Sequence, residues 1–352
     1  MSGGVDSAVV AAMLKRRGHD VIGVTMQIWQ ESQNDPRHAG CCSLGAVEDA
    51  RRVARMLDVP HYVINFKDAF REAVIEDFVA EYARGRTPNP CVQCNRKVKF
   101  EALLNKADEL GCGRLATGHY ARLRRDRVTG HMRLMRARGE AKDQSYVLYM
   151  LRQEQMRRLL FPMGELPDKA ETRRLAAELG LPVADKPDSQ EICFVSDAGG
   201  YVEFLRKERP DLLRPGEVVD TTGRTIGRHA GVATLTVGQR RGLGVSAGRP
   251  LYVLRLEPAQ NRVVVGDADD LLAREVRLED VRWHVPEDEI RVHAKIRYNM
   301  VPQRARLIPG EPASLVFDEP VRGPAPGQIA VAYAGRTVVA GGIIAASSAS
   351  NR

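Results

Sequence analysis

The sequence opens Met1-Ser2-Gly3-Gly4-Val5-Asp6-Ser7 and enters a helix-patterned apolar run at once. Gly3 and Gly4 carry no side chains, so backbone N–H groups can crowd together there. A nest of such groups at a helix N-terminus attracts phosphate. The hydroxyls of Ser2 and Ser7 add donors, and Asp6 could hold a metal ion or orient the loop. No Gly-Lys-Ser/Thr occurs anywhere, which excludes the GTPase kind of phosphate loop. As bare chemistry, a Gly-Gly pair before a helix is also a plain turn.

The six cysteines form the second chemical signal. Cys91 and Cys94 make a C-x-x-C in a Pro-rich segment, Thr87 to Asn95, expected to be part of a loop from Arg84 to Arg96. One such pair lacks the second pair that a structural zinc site needs. Arg96, Lys97 and Lys99 follow Cys94 at an expected helix start, and cations there should lower a thiol's pKa. Cys193 lies far off, in the loop-like stretch Lys186 to Phe194. Cys41 and Cys42 read as loop packing, and Cys112 as a buried, inert thiol.

These groups need a scaffold, and the first 200 or so residues supply one by alternating helix and strand. Helices are expected at 7–17, 43–57 (with Ser43 as cap), 68–83 and 97–110. Strands are expected at 21–26, 61–66 and 114–117. Strands separated by helices of this length form parallel crossover units. Past about residue 210, turn residues recur at short intervals between alternating runs at 251–257, 262–266, 291–298, 313–317, 329–333 and 337–344, the pattern of small β-barrels or sandwiches. The expected organisation is an α/β domain over 1–205, a small β-rich module over 206–272 and a C-terminal β-barrel over 273–352.

Taken together, Ser-Gly-Gly-Val-Asp-Ser resembles the PP-loop signature of the ATP pyrophosphatases, which split ATP between its α- and β-phosphates. In that family a strand precedes the loop. Here the chain begins at the loop, so the first strand is expected to be missing or encoded upstream. Thr87 to Phe100, Thr117 to Ala121, Lys142 to Ser145, Lys186 to Val195 and Gly238 to Leu243 then resemble, in order, the bacterial tRNA-specific 2-thiouridylases.

That resemblance implies a parallel-sheet PP-loop domain followed by two mostly-β modules, and ATP-dependent sulfur transfer to the wobble uridine of tRNA, releasing AMP and pyrophosphate. It implies ATP with Mg2+ at Ser2, Gly3, Gly4, Val5, Asp6 and Ser7, and places Met26 and Gly118 beside the adenosine. Cys193 would carry a persulfide and Cys94 would be its partner nucleophile. Asn89, Pro90, Cys91 and His119 would meet the target base. Lys142, Asp143, Gln144, Arg297, Tyr298 and Gln328 would contact tRNA, although their bland readings are solvated charges and barrel residues. Some members carry Asp where this chain has Cys91. Three thiolates at Cys91, Cys94 and Cys193 are therefore also an alternative ligand set for an iron–sulfur cluster. The implied sulfur donor is a cysteine desulfurase or a relay protein.

Composition narrows the field without choosing within it. Of 352 residues, 43% are hydrophobic and 28% charged, which excludes a disordered or disulfide-stapled chain. No apolar run is long enough to span a bilayer and no secretory signal pattern opens the chain, so a cytoplasmic protein with no membrane partner is expected. The net charge of +8, with 43 Arg against 10 Lys, suits an anionic partner or reflects a GC-rich genome equally well. The match of Gly244 to Gly248 to a serine-hydrolase elbow lacks the helix that motif requires. The rival functions are a PP-loop enzyme that delivers an amine and an RNA-binding protein with a degenerate nucleotide site.

Overall fold

The computed structural model describes residues 1–29, 44–187, 192–245 and 248–347. Two compact units emerge: Met1–Val74 with Cys91–Gly199, and Ile75–Pro90 with Gly200–Arg352.

The first unit opens on α1 (Val5–Arg16), whose Asp6 lies in the first turn and Lys15 and Arg16 in the last, as the helix dipole favours. Then come β1 (Gly23–Gln27), α2 (Leu44–Met56) and β2 (His61–Asn65). β1 and β2 pair in parallel, with Met26 opposite Ile64. The Met1 ammonium donates to the Val24 carbonyl, and Thr25 Oγ1 donates to the Met1 carbonyl at 2.6 Å, so the first residue lies along β1. Ser43, expected to cap α2, lies outside the described residues, as do Cys41 and Cys42.

The helix expected over 68–83 is broken in character. α3 (Lys67–Phe70) widens into a π turn at Arg71–Glu76 and continues as α4 (Asp77–Ala83). The expected loop at 84–96 needs a larger correction. α5 (Pro90–Gln93) runs directly into a π-helical stretch, Cys94–Ala102, and on into α6 (Leu103–Glu109). Pro90 sits at the helix start, where its missing N–H costs nothing.

β3 (Leu115–Ala116) is followed by a hairpin of β4 (Ala121–Arg125) and β5 (Met132–Arg136), then by α7 (Gln153–Arg158), β6 (Leu159–Leu160), α8 (Lys169–Glu178) and α9 (Cys193–Asp197). β3 and β6 pair in parallel. The core buries Val5, Val9 and Ala12 of α1 with Tyr120, Met163, Ala176 and Leu181. Cys112, read as buried, is half-buried, with its sulfur 3.8 Å from the Leu110 carbonyl.

In the second unit α10 (Tyr201–Glu208) packs on α4: Phe204 meets Phe78 edge-on at 5.9 Å, and Tyr201 stacks on Tyr82 at 5.2 Å. Four strands, β7 (Gly216–Val219), β8 (Thr225–His229), β9 (Tyr252–Glu257) and β10 (Arg262–Gly266), form one sheet in the order β8-β7-β10-β9. The last six strands are β11 (Leu272–Trp283), β12 (Ile290–Lys295), β13 (Gln303–Ile308), β14 (Ala313–Arg322), β15 (Ile329–Ala334) and β16 (Thr337–Ser347). They run β11-β14-β13-β12-β15-β16, and β16 pairs back with β11 to close a barrel. Closure removes exposed sheet edges and encloses a core that includes Val276, Leu278, Leu307, Leu315 and Phe317. Among the described residues, no helix is long and apolar enough to cross a membrane.

Candidate active site

The glycine turn has the geometry that anion binding requires. Gly3 takes φ +68°, open to glycine at no cost, and a Cβ there would collide with the Ala46 carbonyl of α2. Gly4 is extended and supplies no side-chain cap to α1, leaving the helix's leading N–H groups to an outside acceptor. The loop is braced from within. The Ser2 N–H donates to Ser7 Oγ at 3.1 Å, the Ser7 hydroxyl donates to the Gly4 carbonyl at 3.1 Å, and the two serine hydroxyls lie 3.2 Å apart. The donor set and the side-chain-free cradle both fit a phosphate chain.

Gly118 is packed against this turn: a Cβ there would lie 2.8 Å from Asp6 Cβ and 3.2 Å from the Ser7 nitrogen. The Asp6 carboxylate accepts from the Lys169 ammonium at 2.6 Å and from the Tyr120 hydroxyl at 2.7 Å, and the Tyr120 hydroxyl is 2.8 Å from Thr172 Oγ1. Of the two roles open to Asp6, this network displays the orienting one. Sequence reasoning missed Lys169 and Thr172. Lys169 simply follows Asp168, the N-cap of α8, and reads as an ordinary first-turn residue. Met26 lies half-buried on β1.

Cys91 and Cys94 stand one helical turn apart rather than in a loop, with Cys91 exposed and Cys94 half-buried. Behind Cys94, Asn95 is buried and donates to the Val147 carbonyl at 3.1 Å. Of the cations expected to act on Cys94, Lys97 instead pairs with Glu101 at 3.3 Å. Cys193 is half-buried at the start of α9, and Phe194 after it is fully buried. Phe194 packs on Phe70 of α3, and α3 packs on the Cys94–Ala102 stretch, so the two cysteine-bearing segments share a neighbour. Among the described residues, no three His, Cys, Asp or Glu side chains gather as a metal site.

The residues mapped to RNA divide by what already occupies them. The His119 ring lies 5.5 Å from Phe100 and 5.8 Å from Phe161, with Nδ1 2.8 Å from Thr117 Oγ1. Burial, with a smaller push from Lys99, holds its pKa well below the ordinary 6.5, so the ring is neutral at pH 7. Asp143 is buried and accepts from the Ala137 N–H at 2.9 Å, the Ser145 hydroxyl at 2.9 Å and the Arg136 guanidinium at 3.3 Å. Gln144 grips Tyr120 at two points, its side-chain amide oxygen accepting the Tyr120 N–H at 2.9 Å and its backbone N–H donating to the Tyr120 carbonyl at 2.8 Å. Lys142 is left half-buried beside them.

In the second unit, Gln328 donates to the carbonyls of Thr87 at 2.9 Å and Pro88 at 3.4 Å, just before Asn89 and Pro90. Arg297 donates to the Arg322 and Gly323 carbonyls at 3.0 and 2.6 Å. Tyr298, expected to end a strand, falls beyond β12. The residue is 40% exposed, and the Lys295 ammonium lies over its ring, 5.5 Å from the ring centre.

The family models follow the same order along the chain. The tRNA methyl transferase HUP domain matches residues 1–197, the tRNA methyl transferase PRC-barrel domain 202–267 and the Aminomethyltransferase beta-barrel domain 273–344. The tRNA-specific 2-thiouridylase MnmA of Moorella thermoacetica is 48% identical over 350 residues, 98% of each chain. That of Clostridioides difficile is 45% identical over 98% of this chain and 96% of its own, and that of Heliobacterium modesticaldum 50% identical over 98% and 91%. With matches of this depth spanning the HUP domain and both β modules, the chain belongs to the tRNA-specific 2-thiouridylase family.

Proposed function

We propose that this chain is an ATP-dependent tRNA sulfurtransferase that replaces O2 of the wobble uridine with sulfur. The observation that carries the reading is family membership over 98% of the chain, joined to a glycine turn shaped for phosphate. ATP, entering with Mg2+, would rest its phosphates on the N–H groups and hydroxyls of Ser2 to Ser7, with Met26 and Gly118 beside the adenosine. Lys169 is near enough to the turn, through Asp6, to turn toward phosphate once ATP arrives.

The uracil O2 attacks the α-phosphorus, the bond to the β-phosphate oxygen breaks, and pyrophosphate leaves. Esterification turns O2 into a good leaving group and makes C2 electrophilic. The Cys94 thiolate then attacks the inner sulfur of a persulfide on Cys193. A Cys94–Cys193 disulfide forms, and the outer sulfur, reduced by two electrons, departs as hydrosulfide. Hydrosulfide adds to C2 and AMP leaves with the former O2. A dithiol reductant then regenerates both thiols, and a cysteine desulfurase or relay protein reloads Cys193. A neutral His119 can donate or accept one hydrogen bond at the base without adding charge.

The test is mass spectrometry of tRNA nucleosides after incubation with ATP, Mg2+ and a persulfide donor. The expected product is 2-thiouridine at the wobble position, dependent on ATP and lost in Cys193→Ala. Full thiolation by that variant, or thiolation without ATP, would overturn the mechanism.

A further inference from the structure

The hairpin of β4 and β5 concentrates charge in a way that neither the phosphate loop nor the thiols require. Between Ala121 and Arg138 there are seven arginines and one acid, Asp126, a net +6 within a chain whose total is +8. The hairpin is held rigidly. Leu123 pairs with Leu134, which is fully buried, and Gln153 grips both the N–H and the carbonyl of Met132 at 2.8 Å. Asp126 builds the turn by accepting from the N–H groups of Val128 at 2.9 Å and Thr129 at 2.7 Å.

Arg124 and Arg133 stand directly opposite each other, a pairing of like charges that a ribbon ordinarily avoids. Each is offset locally, Arg124 by Glu165 and Arg133 by Asp126. Arg136 is tied to Asp143. Arg125 and Arg127 differ: both are exposed, and among the described residues no carboxylate pairs with either. Beside them Val128 is 95% exposed, so the turn projects into solvent.

We propose that this hairpin is a docking surface for the phosphate backbone of tRNA, with Arg125 and Arg127 as its principal contacts. The inference rests on the tRNA reading given above and adds a surface to it. A rigid cationic ribbon suits a polyanion because each phosphate it neutralises releases condensed counterions, and such contacts set register without reading sequence. Asp143 also ties the base of the hairpin to the Lys142–Gln144 segment, so the strand that carries these charges is continuous with a segment mapped to RNA.

The experiment measures binding of an unmodified tRNA transcript by the full chain across a salt series, for the parent, an Arg125→Gln/Arg127→Gln pair and an Arg125→Lys/Arg127→Lys pair. The Gln pair should bind roughly tenfold or more weakly at moderate salt, and its slope of log K against log salt should fall by about 1.4 to 1.8. The Lys pair, which keeps both point charges, should stay near the parent on both readouts. Parent-like affinity and slope in the Gln pair would overturn the proposal, as would unchanged tRNA binding with weakened binding of the sulfur-donor protein. Equal loss in the Lys pair would also overturn it, since charge would then not be the cause. Binding needs neither ATP nor sulfur donor, so a parent that binds tRNA through the hairpin yet never thiolates would sink the thiolation reading alone.

Discussion

Phe194, the residue after Cys193, meets Phe70 edge-on, with ring centres 5.9 Å apart at 74°. Both rings are 1% exposed, and Phe70 closes the helix that packs against the stretch beginning at Cys94. One buried aromatic contact therefore links the segment that opens at Cys193 to a helix packed on the segment that opens at Cys94. Shortening Phe194 should loosen that coupling without touching the phosphate turn. In Phe194→Leu, thiolation should fall at least about tenfold, while tRNA-dependent pyrophosphate release stays within about threefold of the parent. Phe194→Ala should cost about 3 kcal/mol or more in chemical denaturation, the usual range for a fully buried ring. Equal losses of both activities in the Leu variant would show that Phe194 does not act through the thiols.

Asp6 supplies a separable test, because its carboxylate joins α1 to Lys169 and Tyr120 rather than to any thiol. Removing it leaves the Lys169 ammonium without that partner and the turn without its brace. Asp6→Ala should abolish pyrophosphate release, and Lys169→Met should lower it by about 10²-fold, the scale seen when one charge-stabilising donor is lost. Neither variant should prevent Cys193 from accepting sulfur from a persulfide donor, measured as a mass gain on the intact chain. Normal pyrophosphate release by Lys169→Met would remove that lysine from the site.

Gly118 makes a sharper claim still. A methyl group at this position would press into Asp6 Cβ and the Ser7 nitrogen, both parts of a turn that is already braced from within. Gly118→Ala should raise the KM for ATP by tenfold or more, and overpacking should cost about 1–3 kcal/mol of stability. An unaltered KM would show that the turn yields freely and that its close approach to Gly118 has no part in nucleotide binding.

The parts of this molecule that were legible in sequence are those where one face or one run dominates. α1, β1 and β2 follow their apolar patterns to within two residues. β11 escaped because bulges between Ala273 and Glu275 and between Glu279 and Arg282 break its alternation, and Asp280 takes φ 48°. β13 escaped because only Ala305 and Leu307 of Gln303–Ile308 are buried inward, between arginines. At the site, the glycines and Asp6 announce themselves by local chemistry. Lys169 does not, because its role depends on a contact with a residue 163 positions away. Pro88 and Pro90 suggest a loop around the C-x-x-C, whereas Pro90 is placed where a helix accepts proline.

Acid should weaken the fold through histidines kept neutral. Burial lowers the pKa of His119 strongly, and it also lowers those of His61 and His229. With folded values below the ordinary 6.5, the unfolded chain binds more protons than the native one as pH drops through that point, so stability rises with pH in this window and is lost below it. At one pH unit under 6.5, a single such ring can account for at most about 1.4 kcal/mol. Denaturation midpoints should therefore fall between about pH 7.5 and about pH 5.5, and His119→Gln should lose less over the same span. A midpoint that fell equally in both proteins would mean that His119 gains its proton in the folded state.

Gln328 offers the last discrimination, between contacting RNA and positioning what does. Its amide N–H groups are directed at the carbonyls of Thr87 and Pro88, and the Thr87 N–H reaches the Pro326 carbonyl at 2.8 Å, so residues 326–328 hold the backbone that leads into Asn89 and Pro90. If positioning is its work, Gln328→Ala should lower kcat for thiolation by about tenfold, a usual consequence of misplacing a reacting segment, with little change in tRNA affinity. Gln328→Glu should fare no better, since a carboxylate cannot donate to either carbonyl. If Gln328 instead touches tRNA directly, the Ala variant should bind tRNA measurably more weakly while its kcat at saturating tRNA stays at the parent's. Direct binding measurements beside steady-state rates separate the two outcomes in a single preparation.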